Sequence, residues 1–343
     1  MLLSKENNKR QRVIRGQTGA LSENARFVCS KSINEIIILL NKSTLKNETD
    51  FHRVLDEYKT GITTARTELT DNQAQGNVLP EPPFCGRNNE DKILIPTTRI
   101  DQYTWMALLS YTSENGKEEF LCGGNLINRR YVLTVAHCVI NNLRDKKLSK
   151  IRLGEYNLGE EIDCKNGECN EKPLDLNVEA IIAHPDYNPR SGHNDIALIR
   201  LAANVNLTDS IQPVCLPLPE TRVNLTGGEI LTVAGWDPPQ DNAKVKSHVR
   251  ATIVENTDCA KEFQDRRKPI ITSQICALGE VSKDSCGGDS ANPLMRKVSK
   301  DHSANWYLEG MSSLGSRCSS ENMPVVYTRV ADYVDWIQQT IKV

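Results

Sequence analysis

Residues 131–138 read Tyr131-Val132-Leu133-Thr134-Val135-Ala136-His137-Cys138, an apolar run of strand length that stops at a histidine and a cysteine. On its own a histidine beside a cysteine is more often structural than chemical. Two distant stretches change that reading. Asp195 opens Asp195-Ile196-Ala197-Leu198-Ile199-Arg200-Leu201, and Ser290 closes Asp284-Ser285-Cys286-Gly287-Gly288-Asp289-Ser290. A serine hydroxyl is a weak nucleophile until an imidazole can take its proton. A buried carboxylate then fixes the tautomer of that imidazole and stabilises the imidazolium. His137, Asp195 and Ser290, in that chain order and in those surroundings, predict a catalytic triad.

The texture around these islands predicts β-structure. Short apolar runs at Trp105–Tyr111, Tyr131–Ala136, Ile196–Leu201 and Glu229–Ala234 are separated by turn signals, the pattern of sheets closed into barrels or packed as a sandwich. The chain end differs: Val330, Tyr333, Val334, Ile337 and Ile341 recur at helical spacing, which predicts a terminal helix docked by that face. Residues 1–84 are polar, with one helical stripe at Ile33, Ile36, Ile37 and Leu40, and they run out through TDNQAQGNVLPEPP (residues 70–83), the composition of an extended linker. Two domains are therefore expected, a helical or disordered extension over 1–84 and an all-β domain over 85–343.

The 343 residues carry a formal charge of -2, and nucleic acid or an anionic membrane surface would call for clustered excess Lys and Arg. Lys5, Lys9, Arg10, Arg12 and Arg15 read as a solvated basic tail. No apolar stretch approaches the length of a membrane span. The eleven cysteines suit an oxidising compartment, and sequons at Asn41, Asn47, Asn206 and Asn224 are consistent with secretory passage. The first residues, Met1-Leu2-Leu3-Ser4-Lys5, lack the apolar core of a secretory signal. Secretion is still the expectation, because the cysteine count asks for it. The odd count leaves one thiol over, and Cys29, which stands alone, is the candidate.

From about Cys85 to Ile341 the chain resembles the chymotrypsin-like serine proteases, and among them the arthropod clip-domain proteases. The runs WMALLSY, CGGNLINRRYVLTVAHCV, RLGEYN, HPDYNP, HNDIALIRL and VYTRVADYVDWI carry the resemblance. It implies two six-stranded antiparallel β-barrels and a C-terminal helix. By it His137 is the general base, Asp195 its orienting partner and Ser290 the nucleophile, with the backbone N–H groups of Gly288 and Ser290 as an oxyanion hole. It pairs Cys85 with Cys215, Cys122 with Cys138, Cys259 with Cys276 and Cys286 with Cys318, and makes Cys164 and Cys169 an additional loop bridge. Zinc is the competing reading for that last pair. A clip domain needs six cysteines and residues 1–84 hold one, so that segment reads as a degenerate clip. Glu155, Asn157, Glu160 and Asp163 resemble a calcium site of the family, hard oxygen donors for a hard cation; a plain solvated acidic loop is the other reading. No cofactor is expected for catalysis.

The sequence also departs from that family. Activation would cut between Lys92 and Ile93 and pair the new ammonium with Asp289, yet the segment reads Ile93-Leu94-Ile95-Pro96 where the family has hinge glycines. After the nucleophile the family reads Gly-Gly-Pro, and this chain reads Ala291-Asn292-Pro293. The substrate pocket implied is Asp284 at its base, with Ser285, Ser313, Gly315 and Val325 around it. Val325 stands where Arg-specific relatives have glycine and should keep a long cationic side chain from Asp284, unless a register shift moves it aside. The expectation is a monomeric secreted serine endopeptidase acting on a protein substrate or partner protease in an immune (melanisation or Toll-like) cascade, with no nucleic acid or membrane partner. The alternative is a catalytically impaired homologue that keeps the fold as a binding or regulatory surface.

Overall fold

The computed structural model describes residues 79–87, 100–140, 145–165, 167–236, 245–263, 268–279, 290–300, 303–314 and 323–342. The chain divides between Gln75 and Gly76, and every described residue lies in the second unit. The expected helical stripe Ile33–Leu40, Cys29 as the expected leftover thiol, the linker up to residue 78, the expected cut at Lys92–Ile93 and the expected pair Cys286–Cys318 fall outside the described residues.

The strands are β1 (Met106–Thr112), β2 (Glu118–Leu126), β3 (Tyr131–Thr134), β4 (Lys147–Leu153), β5 (Cys164–Lys165), β6 (Glu168–Cys169), β7 (Leu174–Ala183), β8 (Ala197–Leu201), β9 (Ile230–Gly235), β10 (Ser247–Val254), β11 (Gln274–Gly279), β12 (Pro293–Lys300), β13 (Ser303–Leu314) and β14 (Val325–Arg329). Twelve of them form two closed six-stranded antiparallel barrels, ordered β1-β2-β3-β8-β7-β4 and β10-β11-β14-β13-β12-β9, while β5 and β6 make a separate hairpin. The four apolar runs read from the sequence become β1, β3, β8 and β9, within a residue or two of their expected ends. Closure satisfies edge groups that an open sheet would leave unpaired. Of the two architectures left open by the apolar runs alone, the barrels are the one observed.

Burial follows the sequence pattern. Strands β3 and β8 are almost continuously apolar and nearly every residue is buried, as expected where both faces are covered. Strand β7 alternates half-buried with exposed residues, the period of a strand with one wet face. The main core gathers Trp105, Leu108, Leu133, Ile151, Leu198 and the terminal face Val330, Tyr333, Val334, Ile337 and Ile341. That face spans a 3-10 turn (Val330–Tyr333) running into a helix, Val334–Thr340. The one other described α-helix, Asn256–Phe263, buries Cys259 and Phe263.

Disulfides join Cys85 to Cys215, Cys122 to Cys138, Cys164 to Cys169 and Cys259 to Cys276. Each agrees with the pairing that the resemblance implied. The Cys85 bridge holds residues 79–87 on the second barrel, where Leu79 is buried in the main core. Gly86 makes this approach possible: its φ is +61°, and a Cβ there would stand 2.2 Å from the Trp306 carbonyl oxygen. Its own carbonyl instead accepts from the Trp306 N–H at 2.8 Å.

Candidate active site

Strand β3 ends in a 3-10 turn, Ala136–Cys138, that buries Ala136 and Cys138 and leaves the His137 ring 27 % exposed between them. The bridge from Cys138 to Cys122 anchors this turn to β2. Asp195, 1 % exposed at the head of β8, grips the turn twice. Its Oδ1 accepts from the His137 backbone N–H at 2.9 Å, and its Oδ2 lies 2.7 Å from the His137 Nδ1. A carboxylate only accepts, so Nδ1 carries the proton and Nε2 is left as the base.

Asp195 is itself held from several sides. Ser313 donates its hydroxyl to Oδ2, and Thr328 donates its own to the Asp195 carbonyl at 2.8 Å. The preceding residue, Asn194, has φ 55°, a left-handed conformation that asparagine tolerates better than most residues. Its side chain donates to the Asp186 carbonyl at 2.9 Å and accepts from the Tyr333 hydroxyl at 2.8 Å. Ser313, assigned to the pocket from the sequence, is therefore in contact with the triad carboxylate. The sequence reading did not assign Thr328, Asn194 or Tyr333 to the site. Their signal was the VYTRVADYVDWI and HNDIALIRL runs, in which Tyr333 had counted only as a core position of the terminal helix.

Ser290 opens the stretch that leads into β12 and is half-buried. Its backbone forms a parallel bridge with Cys122, and its carbonyl accepts from the Gly123 N–H at 2.8 Å. Cys122 thus ties the Ser290 backbone to Cys138, the neighbour of His137. Beyond the serine, the Ala291 N–H donates to the Ser312 carbonyl at 2.8 Å, and the Ser312 N–H donates to the Asn292 carbonyl at 3.0 Å. Asp284, Ser285, Gly288, Asp289 and Gly315 lie outside the described residues. Val325 opens β14, half-buried. Strands β11 and β14 pair without a shift from Ala277–Val325 to Gln274–Thr328. Val325 and Tyr327 therefore share a face, and both pack on the cluster of Leu231, Ile253, Ile275 and Leu294.

In the acidic loop, Glu155 and Asp163 are both 1 % exposed, Asn157 is half-buried and Glu160 is exposed. Burial pushes the Glu155 carboxyl up, helped by the neighbouring Asp163, and burial likewise raises Asp163. Lys246, 2 % exposed, is pushed down to about 8 by burial against the pull of Glu155, Asp163 and Asp101. The sulfurs of Cys164 and Cys169 are bonded to each other, which removes the zinc reading. Cys122, His137 and Cys138 also lie close together, but both sulfurs there are spent in a disulfide.

Comparison with known proteins agrees with this geometry. The family described as Trypsin matches residues 95–337. Serine protease 7 of Drosophila melanogaster is 44 % identical over 275 residues, covering 78 % of this chain and 70 % of that one. Phenoloxidase-activating factor 3 of Holotrichia diomphalia is 40 % identical over 276 residues, covering 78 % and 77 %. Among solved structures, the Drosophila Grass clip serine protease of the Toll pathway superposes with a TM-score of 0.66 at 29 % identity, covering 77 % of this chain and 76 % of that one.

Proposed function

The chain belongs to the trypsin family of serine-type endopeptidases, and from that premise we propose that it cleaves a protein substrate by acyl transfer, with Ser290 as nucleophile, His137 as general base and Asp195 as its orienting partner. The observation that carries this is the double grip of Asp195 on His137, one bond to the backbone and one to the ring. Held so, the imidazole takes the Ser290 proton as the hydroxyl attacks the scissile carbonyl, then returns it to the leaving amine. Water repeats the sequence to release the acyl group. The N–H groups of Gly288 and Ser290 are the donors we assign to the developing oxyanion.

The relatives named for phenoloxidase activation and the Toll pathway support a place in an arthropod immune cascade, as a zymogen cut between Lys92 and Ile93. A secreted enzyme suits such a cascade, and four disulfides are compatible with an oxidising compartment. One observation favours a second reading, a proteolytically silent homologue: Ala291, directly after the nucleophile, sits at φ 71°, where glycine would be unstrained.

A fluorophosphonate probe separates the two. After cleavage at Lys92 the full chain should label at Ser290, and a Ser290→Ala variant should not. Absence of labelling in a cleaved chain with native circular dichroism would leave only the silent homologue.

A further inference from the structure

The loop Glu155–Asp163 was read above as a calcium site by resemblance. Its oxygens are committed elsewhere. Asp163 takes the Tyr156 N–H on Oδ2 at 2.9 Å and the Asn157 N–H on Oδ1 at 2.8 Å. Glu155 takes the Tyr156 N–H on Oε1 at 3.0 Å and the Arg152 guanidinium on Oε2 at 3.3 Å. The Asn157 side-chain oxygen accepts from Gly159 at 3.0 Å, and its carbonyl accepts from Glu160 at 2.9 Å. The Tyr156 carbonyl accepts twice, from the Lys246 N–H at 2.8 Å and from the Trp236 indole at 3.1 Å. Calcium asks for six to eight oxygens converging at about 2.3–2.6 Å. Among the described residues the carboxylates of Glu155, Glu160 and Asp163 do not gather within 4.8 Å of one another. The donor set does not fit the ion.

Arg152 faces Glu155, but two buried carboxylates side by side call for a further positive charge, because an uncompensated charge in a low-dielectric interior is costly. Lys246 lies immediately before β10, tied to this loop by its backbone N–H on the Tyr156 carbonyl, and its side chain is buried. Its ammonium donates to the Gln102 carbonyl at 3.2 Å and lies 5.2 Å from the centre of the Trp236 ring. Glu155, Asp163 and Asp101 all act on its charge. We propose that the Lys246 ammonium is the resident cation of this loop, taking the place that the family resemblance gives to calcium, and that the domain holds its fold without a divalent ion. A covalently attached cation also ties three pieces together: the acidic loop, the segment Asp101–Gln102 ahead of β1, and the entry to β10.

The test reads melting and binding, not proteolysis, so its outcome is separate from that of Ser290 labelling. The full chain is melted in EDTA and in millimolar CaCl2 and titrated with CaCl2 by calorimetry. The wild-type midpoint should be the same in both buffers, with no heat of stoichiometric binding. Lys246→Gln should fall by about 6–12 °C, the loss of a buried countercharge in a domain of this size. Lys246→Arg, which keeps the charge, should lose less than half of that. A calcium-dependent rise in the wild-type midpoint, or a single calcium bound by calorimetry, overturns the proposal. So does a Lys246→Gln chain that melts with the wild type. Should Lys246→Gln fail to fold, the wild-type titration and Lys246→Arg decide it alone.

Discussion

The side-chain amide of Asn125, fully buried in β2, donates to the carbonyl oxygen of Ala291 at 3.3 Å and so ties the first barrel to the residue after the nucleophile. Ala291 needs that support: it is fully buried and its φ is 71°, a region that costs a residue with a Cβ roughly 1–2 kcal/mol. Ala291→Gly should relieve this cost, less about 0.4–1 kcal/mol for the greater freedom of glycine in the unfolded chain. We expect a net stabilisation of about 0.5–1 kcal/mol and faster labelling of Ser290, read by denaturant melts and probe kinetics. A variant less stable than the wild type would mean that Ala291 packing outweighs its backbone strain.

How much of this arrangement could be read in advance depended on how local its signal was. The strand runs at Tyr131 and Asp195 announce themselves because apolar residues in short blocks have one good use, and the terminal helix shows in its spacing. The disulfides came through resemblance, since pairing across such sequence distances has no local signature, whereas the triad showed in the order and surroundings of His137, Asp195 and Ser290 and took only its individual roles from the resemblance. Lys246 was invisible: a lysine after a polar loop reads as solvated, and only the fold shows it buried and under the influence of Glu155 and Asp163. Ser313 was placed in the pocket, because nothing in MSSL (residues 311–314) distinguishes a hydroxyl that lines a pocket from one that supports a carboxylate.

Ser313 donates to the same carboxylate oxygen that meets His137. A hydrogen bond to a charged group contributes about 1.5–3 kcal/mol, so Ser313→Ala should lower kcat/KM by about 10- to 100-fold. A role in orienting the base predicts that kcat carries the loss while KM stays close to the wild-type value. If KM alone rises, Ser313 belongs to the pocket as first assigned.

Val325 shares the Tyr327 face of β14, whose pairing with β11 is regular there and whose pairing with β13 shifts beside Val326; the resemblance puts Val325 at the wall of the pocket. Val325→Gly should raise cleavage after Arg relative to cleavage after small residues by at least about 10-fold, because a group that blocks a charged partner costs several kcal/mol. Paired peptide substrates differing only at that position measure it. Equal selectivity in the two enzymes would remove Val325 from the specificity account.

Glu309, 2 % exposed, accepts from Arg296 Nε at 2.7 Å, while the same guanidinium donates to the Thr221 carbonyl at 3.2 Å and lies 4.9 Å from the centre of the Tyr307 ring. Burial lifts the Glu309 carboxyl above its ordinary value of 4.5 even though Arg296 pulls it down. A raised carboxyl means that the folded state holds its proton longer than the unfolded chain does. Its contribution to stability is therefore complete below 4.5 and declines as pH rises through the folded value. Arg296→Met removes the opposing cation, lifts the carboxyl further and extends that decline to higher pH. The variant should lose about 3–5 kcal/mol at neutral pH, with a visibly smaller deficit near pH 5, where the lone carboxyl can stay protonated. Adding Glu309→Leu to Arg296→Met should restore most of the loss. Melting curves of the three proteins at pH 5 and pH 8 decide it: a deficit that does not change with pH would show that Arg296 contributes by packing on Tyr307 and not by neutralising Glu309.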